Sequence, residues 1–394
     1  MLHDILIIGK GLIGSAIAKH LSLSQKNIAI IGPDEPEDVS NAVVYASHYD
    51  SGRVQRLIGQ TDAMTELNIA SVKHYPWLEK VSGIHFHKKS GCLYVNPLGS
   101  DEYLEKVSER AEKFGIEAII YNSNKELAKA FPEFHFPEKS QGMFEPSPSG
   151  HISPPLLIKA QLKVFEQNGG TIFRDTVNGL AFKNDFVEIS TYEGNVYHAA
   201  KVVLAAGAFS NFSNLLSREL DLVIKSETVL LARVSKEEAT RLVTLPSLLY
   251  EIDNGQVEGI YSTQPIQYPD GHFYLKMGCN LPHDIFFGND LSEIQQWFRN
   301  GDSKASELKM LKVLQSIIPD LKIEGCTTKR CILPRTQRHK NPYIGKIHDG
   351  LYITAGNGWS AMCSDGVGFV MSHLVINNKF PEGYEATDFE PFFK

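Results

Sequence analysis

The stretch DILIIGKGLIGSAIAKHLSLSQKNIAIIG, running from Asp4 to Gly32, changes its apolar period twice. Ile5 to Ile8 form an unbroken apolar run, as a parallel strand buried on both faces requires. From Ile13 onward the spacing turns helical, with Ala16, Ile17, His20 and Leu21 on one side, and Ile28 to Ile31 restore a buried strand. The turn between the first strand and the helix carries Gly9, Gly11 and Gly14 as G-x-G-x-x-G, with Leu12 and Ile13 inside it. The first glycine permits the turn and the second lets backbone approach a pyrophosphate. The third lets helix pack on strand, and the helix N-terminus faces the anion. The βαβ unit therefore reads as a dinucleotide cradle. Its ribose calls for an acidic residue after the second strand. Gly32 and Pro33 come first there, so Asp34 is the candidate, and this loop holds no arginine to favour a 2′-phosphate.

Beyond this unit, Asp62 to about Lys80 has amphipathic helical spacing, and Ser90-Gly91 reads as the turn of a hairpin in GIHFHKKSGCLYV. Ser100 is expected to start a helix that Gly115 ends. SNKE at Ser123 to Glu126 is a capping box before a short helix, and Ser153, Pro154 and Gly169 delimit a longer one. Short strands punctuated by Asn184, Gly194 and Asp253 to Gly255 suggest an antiparallel sheet. Buried strands return in KVVLAAGAFSN and GLYITAGNG. Parallel signatures at both ends with antiparallel ones between predict a discontinuous domain with a second inserted into it.

Composition narrows the partners. With 394 residues the chain is long enough for two domains, and 39 basic against 46 acidic residues leave no cationic run that would track nucleic acid. No segment reaches the ~20 apolar residues of a membrane span, and the N-terminus lacks the charged leader of a signal peptide. Cys92, Cys279, Cys326, Cys331 and Cys363 are odd in number and scattered, which points to a reducing cytoplasm rather than a disulfide framework. No second Cys or His pair at metal-ligand spacing accompanies Cys326 and Cys331, so no metal site is expected. Nothing demands association, and a monomer is favoured.

In ASHYDSGRVQRLIGQTD, from Ala46 to Asp62, Arg53 and Arg56 lie three residues apart, a spacing that would set both on one side of a helical turn. Such a pair suits an anion, since the guanidinium fork makes bidentate bonds to a carboxylate.

Taken in order, IIGKGLIGSAIAKHL, SHYDSGRVQR, VVLAAGAFSN, FYLKMG, KRCILPRTQ and LYITAGNGWSAMCSDGVG resemble the sarcosine oxidase and glycine oxidase branch of the D-amino-acid-oxidase-like flavoproteins. The resemblance covers nearly the whole chain and implies FAD rather than NAD. A second glycine-rich segment near the C-terminus is what an extended FAD needs beyond its pyrophosphate. The fold implied is α/β plus α+β: a Rossmann-type, glutathione-reductase-like FAD-binding domain at 1–84, 148–218 and 326–394, with an inserted antiparallel-sheet substrate domain at 85–147 and 219–325.

By the same resemblance Gly9, Gly11, Leu12, Ile13, Gly14, Asp34, His48, Arg53, Ala206, Gly207, Gly356, Gly358, Trp359 and Ser360 hold the cofactor. Arg53 sits beside the flavin and Arg56 grips a substrate carboxylate. Lys276 stands at the oxygen site, where a fixed cation stabilises superoxide, although strand alternation alone would equally point it to solvent. Cys331 aligns with the cysteine that carries flavin covalently in sarcosine oxidases, Cys326 is its rival, and glycine oxidases hold FAD noncovalently. Met362 and Asn280 replace a lysine and a histidine on the substrate side, which implies that cofactor chemistry is kept while substrate choice has moved. The implied reaction is oxidation of a secondary or primary amine or amino acid by hydride transfer, with oxygen as acceptor and hydrogen peroxide as product. The alternatives are a flavin dehydrogenase that passes electrons to a quinone or carrier protein, an NAD-dependent dehydrogenase, and a noncatalytic dinucleotide-binding subunit.

Overall fold

A strand at Leu2–Ile8 leads through the glycine turn into a helix at Leu12–Ser22 and back into a strand at Ile28–Ile31. The structure, a computed structural model, describes residues 1–47, 49–99 and 102–394. The two strands pair in parallel from Ile5 opposite Ile28 to Ile8 opposite Ile31. Thr171–Phe173 continues the sheet beyond Ile28–Ile31, Val196–Leu204 lies parallel on the other side of the first strand, and Leu351–Ala355 lies parallel to the end of that strand. Ile5 to Ile8 and Ile28 to Ile31 are buried throughout, because helices cover the sheet. Each Ile or Leu side chain among them contributes about 1.5–3 kcal/mol by leaving water.

Four helices meet on one face of this sheet: Leu12–Ser22, Asp62–Ser82, Pro154–Gln167 and Ser364–Asn377. A buried polar knot ties them. The Lys19 ammonium pairs with Asp365, which also faces His74 Nδ1 at 3.0 Å, His20 Nε2 at 3.3 Å and Gln161 Nε2 at 3.3 Å. His20, His74 and Asp365 form the metal-like cluster found among the described residues, and the lysine ammonium already supplies its cation. Asp365 stays well below the usual carboxylate range: burial opposes ionisation, and the Lys19 and His20 charges with their hydrogen bonds outweigh it.

The second sheet has nine strands and is mostly antiparallel. Its axis is Leu222–Val234, flanked on one side by Phe273–Asn280 and on the other by Ile323–Thr336, which runs from Thr336 opposite Leu222 to Ile323 opposite Val234. Residue 326, the expected last boundary, falls inside that strand. The turn at Asp253 to Gly255 does join an antiparallel pair, Ser247–Asp253 with Glu258–Gln267.

Two local readings change. Ser90-Gly91 does not turn a hairpin: His87–Lys88 pairs with Gly150–Ile152 in a small third sheet, whereas Cys92–Asn96 joins the large one between Gln141–Glu145 and Ser247–Asp253. Arg53–Gln55 is a strand, not a helical turn, because Gly150–Ile152 supplies its ladder partners. The two arginines consequently diverge. Ser100 lies outside the described residues, and the helix there runs over Glu102–Lys113. Among the described residues no helix is long and apolar enough to cross a membrane.

Candidate active site

A cleft opens at the C-terminal ends of the parallel strands, where open α/β sheets place their ligands. It encloses ≈ 1600 Å³ of empty space with its mouth included, and extends from the glycine turn to the long strands of the second sheet. Gly9, Gly11, Leu12, Ile13, Ala206, Gly207, Gly356, Gly358 and Ser360 line the near end, and Arg53 and Cys331 line the far end. His48 lies outside the described residues.

The near end fits a pyrophosphate. Gly9 has φ +104°, a conformation that side chains rarely adopt, and a Cβ there would overlap the Ala205 carbonyl. Gly11 is the N-cap of the first helix and leaves its N-terminal amides open toward the cleft. Gly14 does not line the cleft; a Cβ on it would strike the Gly9 carbonyl oxygen, so its role is to seat the helix under the turn. Asn357, which the sequence did not single out, knits the C-terminal loop: its Oδ1 accepts from Trp359 N at 3.1 Å and from Ser360 Oγ at 2.9 Å, while Ser360 Oγ accepts from Asn357 N at 2.7 Å. Trp359 itself packs on the helical core. The glycine cradle together with the length of the cleft beyond it fits FAD, and the residues named here would hold it.

Asp34 stands outside the lining, paired with Lys10 from the glycine turn and accepting from Arg174 Nε at 2.9 Å. Burial disfavours its charge, but the hydrogen bonds and charges of Lys10 and Arg174 prevail and lower its pKa. The loop after the second strand lacks an arginine, as read; the neighbouring strand brings one to Asp34 from 140 residues away.

At the far end the central feature is Asp50. Its Oδ2 lies 2.5 Å from Lys276 Nζ and also pairs with Arg53, while its Oδ1 accepts from Tyr268 OH at 2.6 Å. Lys276 is fully buried, donates to the Gly52 carbonyl at 2.6 Å, and lies 5.4 Å from the centre of the Tyr261 ring. It points inward, beneath the wall formed by Arg53 and Tyr261, and is not itself part of the cleft lining. Burial, then the Arg53 charge, lowers its pKa to about 8, with Asp50 opposing. Asp50 is held low: burial works against its charge, and Lys276 and Arg53 outweigh that.

Cys331 Sγ is 4.0 Å from an Arg53 nitrogen, and burial pushes its thiol pKa up against the pull of that charge. Cys326 lies instead on a second chamber, separated from the main cleft by Ser47, Arg53 and Cys331. Only Cys331 of the two faces the cleft.

Arg56, Met362 and Asn280 are not brought into the lining. Arg56 is 3% exposed, with its guanidinium 5.5 Å from the centre of the Tyr94 ring, and among the described residues no carboxylate lies within ion-pair distance of it. Its Nε has no hydrogen-bond partner. Met362 is buried, with its carbonyl accepting from Gln55 Nε2 at 3.1 Å, and Asn280 Oδ1 accepts from Arg335 at 3.4 Å. The sequence also passed over Asp50, Glu227 and Tyr261, the last two of which line the cleft.

Known proteins resemble this chain along its length. N-methyl-L-tryptophan oxidase of Yersinia pestis (strain Pestoides F) is 25% identical over 209 residues, 52% of this chain; the match spans about half, 54%, of that relative. Among solved structures, the open form of NikD, described as an unusual amino acid oxidase essential for nikkomycin biosynthesis, superposes with a TM-score of 0.78 at 16% identity, covering 99% of this chain and 98% of that one. Glycine oxidase from Geobacillus kaustophilus gives 0.74 at 17% identity, covering 99% and 98%, and L-proline dehydrogenase from P. horikoshii gives 0.74 at 19%, covering 97% and 95%. These likenesses agree with the fold inferred from the sequence. The family model described as FAD dependent oxidoreductase matches residues 4–374, nearly the whole chain, and the protein belongs to that family.

Proposed function

We propose that the protein is an FAD-dependent oxidase of secondary or primary amines or amino acids. One observation carries this reading: a single cleft joins a glycine cradle for a pyrophosphate at one end to Arg53 and Cys331 at the other, with Lys276 beneath that wall. A protein that only bound the nucleotide would have no need of buried cations at the far end. Bound FAD would supply the acceptance of a hydride from the substrate α-carbon, leaving an imine that water hydrolyses, and the return of two electrons to oxygen as hydrogen peroxide. The protein's own part is positioning and electrostatics.

Arg53 would lie against the cofactor ring, and Lys276 would present positive charge to oxygen as it is reduced. Arg56, with no carboxylate partner among the described residues, would attract a substrate carboxylate toward the wall behind Tyr94. Cys331 is the candidate for a covalent link. The segments 1–84, 148–218 and 326–394 would carry the cofactor, with the last boundary better set after Thr336, where the long strand ends. The five free cysteines suit a reducing cytoplasm. A second reading, electron delivery to a quinone or carrier protein, is favoured by the ion pair that already neutralises Lys276.

The test is the visible spectrum of the purified protein, before and after acid precipitation, followed by anaerobic addition of N-methyl-L-tryptophan and a panel of amines. Yellow protein that bleaches with an amine and recovers in air with peroxide formation is expected. Colour that stays with the acid pellet identifies a covalent flavin, and slow recovery in air selects the dehydrogenase reading. Colourless protein that FAD cannot reconstitute overturns the proposal.

A further inference from the structure

Among the described residues the cleft lining holds one carboxyl group, which the roles above leave unused. Glu227 lies on Leu222–Val234 directly opposite Cys331, is 5% exposed, and lines the cleft beside Tyr261 and Cys331. Its Oε1 accepts from Tyr261 OH at 3.2 Å, whereas its Oε2 has no hydrogen-bond partner. Lys225 Nζ lies 3.1 Å from that oxygen without hydrogen-bond alignment, and the same ammonium is paired with Asp284.

Charge counting in this pocket gives an imbalance. One buried lysine serves two buried carboxylates, Asp284 and Glu227. The other titratable groups around Glu227 are Tyr261, Cys279 and Cys331; the cations beyond them, Arg53 at 4.0 Å from Cys331 Sγ and Lys276 past the Tyr261 ring, are both engaged by Asp50. Burial raises the pKa of Glu227, and Lys225 only partly offsets it. A buried carboxyl that shares its lysine with a second carboxylate, on a residue that lines a ligand cleft, is complementary to a charged N–H donor. Met362, apolar and buried, adds no competing cation.

We propose that Glu227 receives the ammonium group of the substrate and takes one of its protons, so that the site selects amines that arrive charged. The inference rests on the amine-oxidase reading. In the step, an N–H bond of the ammonium breaks and an O–H bond forms at the Glu227 carboxylate; the electron pair stays on nitrogen, where it can close the C=N bond as hydride leaves the α-carbon. Glu227 is thus a catalytic residue by contact with the substrate, and a base with a raised pKa is matched to that task.

The experiment compares the wild-type holoprotein with Glu227→Gln, using N-methyl-L-tryptophan and a panel of aliphatic amines. Two quantities are read: the pH profile of anaerobic flavin reduction, and infrared difference spectra in the carboxylic-acid region on amine addition. In the variant the reduction rate near pH 7 is expected to fall about 100-fold and to rise with pH toward the pKa of the free amine. A protonated-carboxyl band is expected in the wild type and not in the variant. A variant that is reduced with the wild-type pH profile overturns the role of Glu227 and leaves the oxidase reading standing. A flavin-loaded wild type that no amine reduces overturns both. If Glu227→Gln does not fold, Tyr261→Phe removes only the hydroxyl bonded to Oε1 and should move the acid limb of the profile upward; an unmoved limb overturns the inference.

Discussion

Replacing Asp50 by asparagine keeps the shape of the far end and removes the anion on which it is built. Asp50 is 7% exposed and Lys276 fully buried, with Arg53 on the same carboxylate, so the variant leaves two enclosed cations short of a counter-charge. Removing one partner of a buried pair costs about 3–5 kcal/mol. At about 1.4 kcal/mol per pK unit this corresponds to roughly 2–4 units, enough to carry Lys276 from about 8 to below neutrality. The native lysine already has a folded pKa below its unfolded one, so the unfolded chain binds more protons between the two values and stability rises with pH across that window. In Asp50→Asn the window extends to lower pH, and the variant should lose more relative to wild type near pH 7 than near pH 9.5, where part of the loss is recovered. Urea unfolding of wild type, Asp50→Asn, Lys276→Met and the double variant at both pH values measures this. The coupling between the two sites should be about 1.4 kcal/mol near pH 7, the cost of deprotonating a lysine whose native pKa is about 8, because the double variant no longer strands the lysine. A coupling below about 1 kcal/mol, or a loss in Asp50→Asn that does not change with pH, would refute the argument.

Gly14→Ala forces a methyl group onto the Gly9 carbonyl, so the helix must shift away from the turn. The flavin-to-protein absorbance ratio of the purified variant should drop about tenfold or more, since the loss of a single good charge-assisted contact to the pyrophosphate is worth about 1.5 kcal/mol or more. His151 is 7% exposed, and burial, then the His87 and Lys88 charges, lowers its pKa to about 4. It contributes about 3 kcal/mol of stability above pH 6.5 that disappears as pH falls toward 4. Thermal unfolding across that range should show the decline, and His151→Gln should flatten it.

What was legible in the sequence is whatever local burial dictates. Ile5 to Ile8 and Ile28 to Ile31 show themselves as strands because a parallel strand covered on both faces has no polar side to interrupt the run, and Ser153-Pro154 marks a helix start by chemistry confined to one turn. The arginine pair was misread because three-residue spacing means one face on a helix and opposite faces on a strand; the choice was made by Gly150–Ile152, nearly 100 residues away. The same holds for Ser90-Gly91, whose flanking strands pair with different distant partners. Lys276 was ambiguous until the sheet supplied Asp50 and Tyr261 as neighbours. Glu227 gave no signal at all: a lone acid in a strand is ordinary until the register sets it opposite Cys331.

The sheet that cradles the nucleotide has a consequence for how the protein is made. Leu2–Ile8 is synthesised well before its parallel neighbour Val196–Leu204 and the last parallel strand, Leu351–Ala355. At about 5–20 residues per second the wait is roughly 20 to 70 s. During that time the nascent chain carries an apolar strand with an open edge and half a cofactor site. Chaperone dependence should therefore be strongest for chains stalled before residue 351, and free FAD should rescue only those that have passed it.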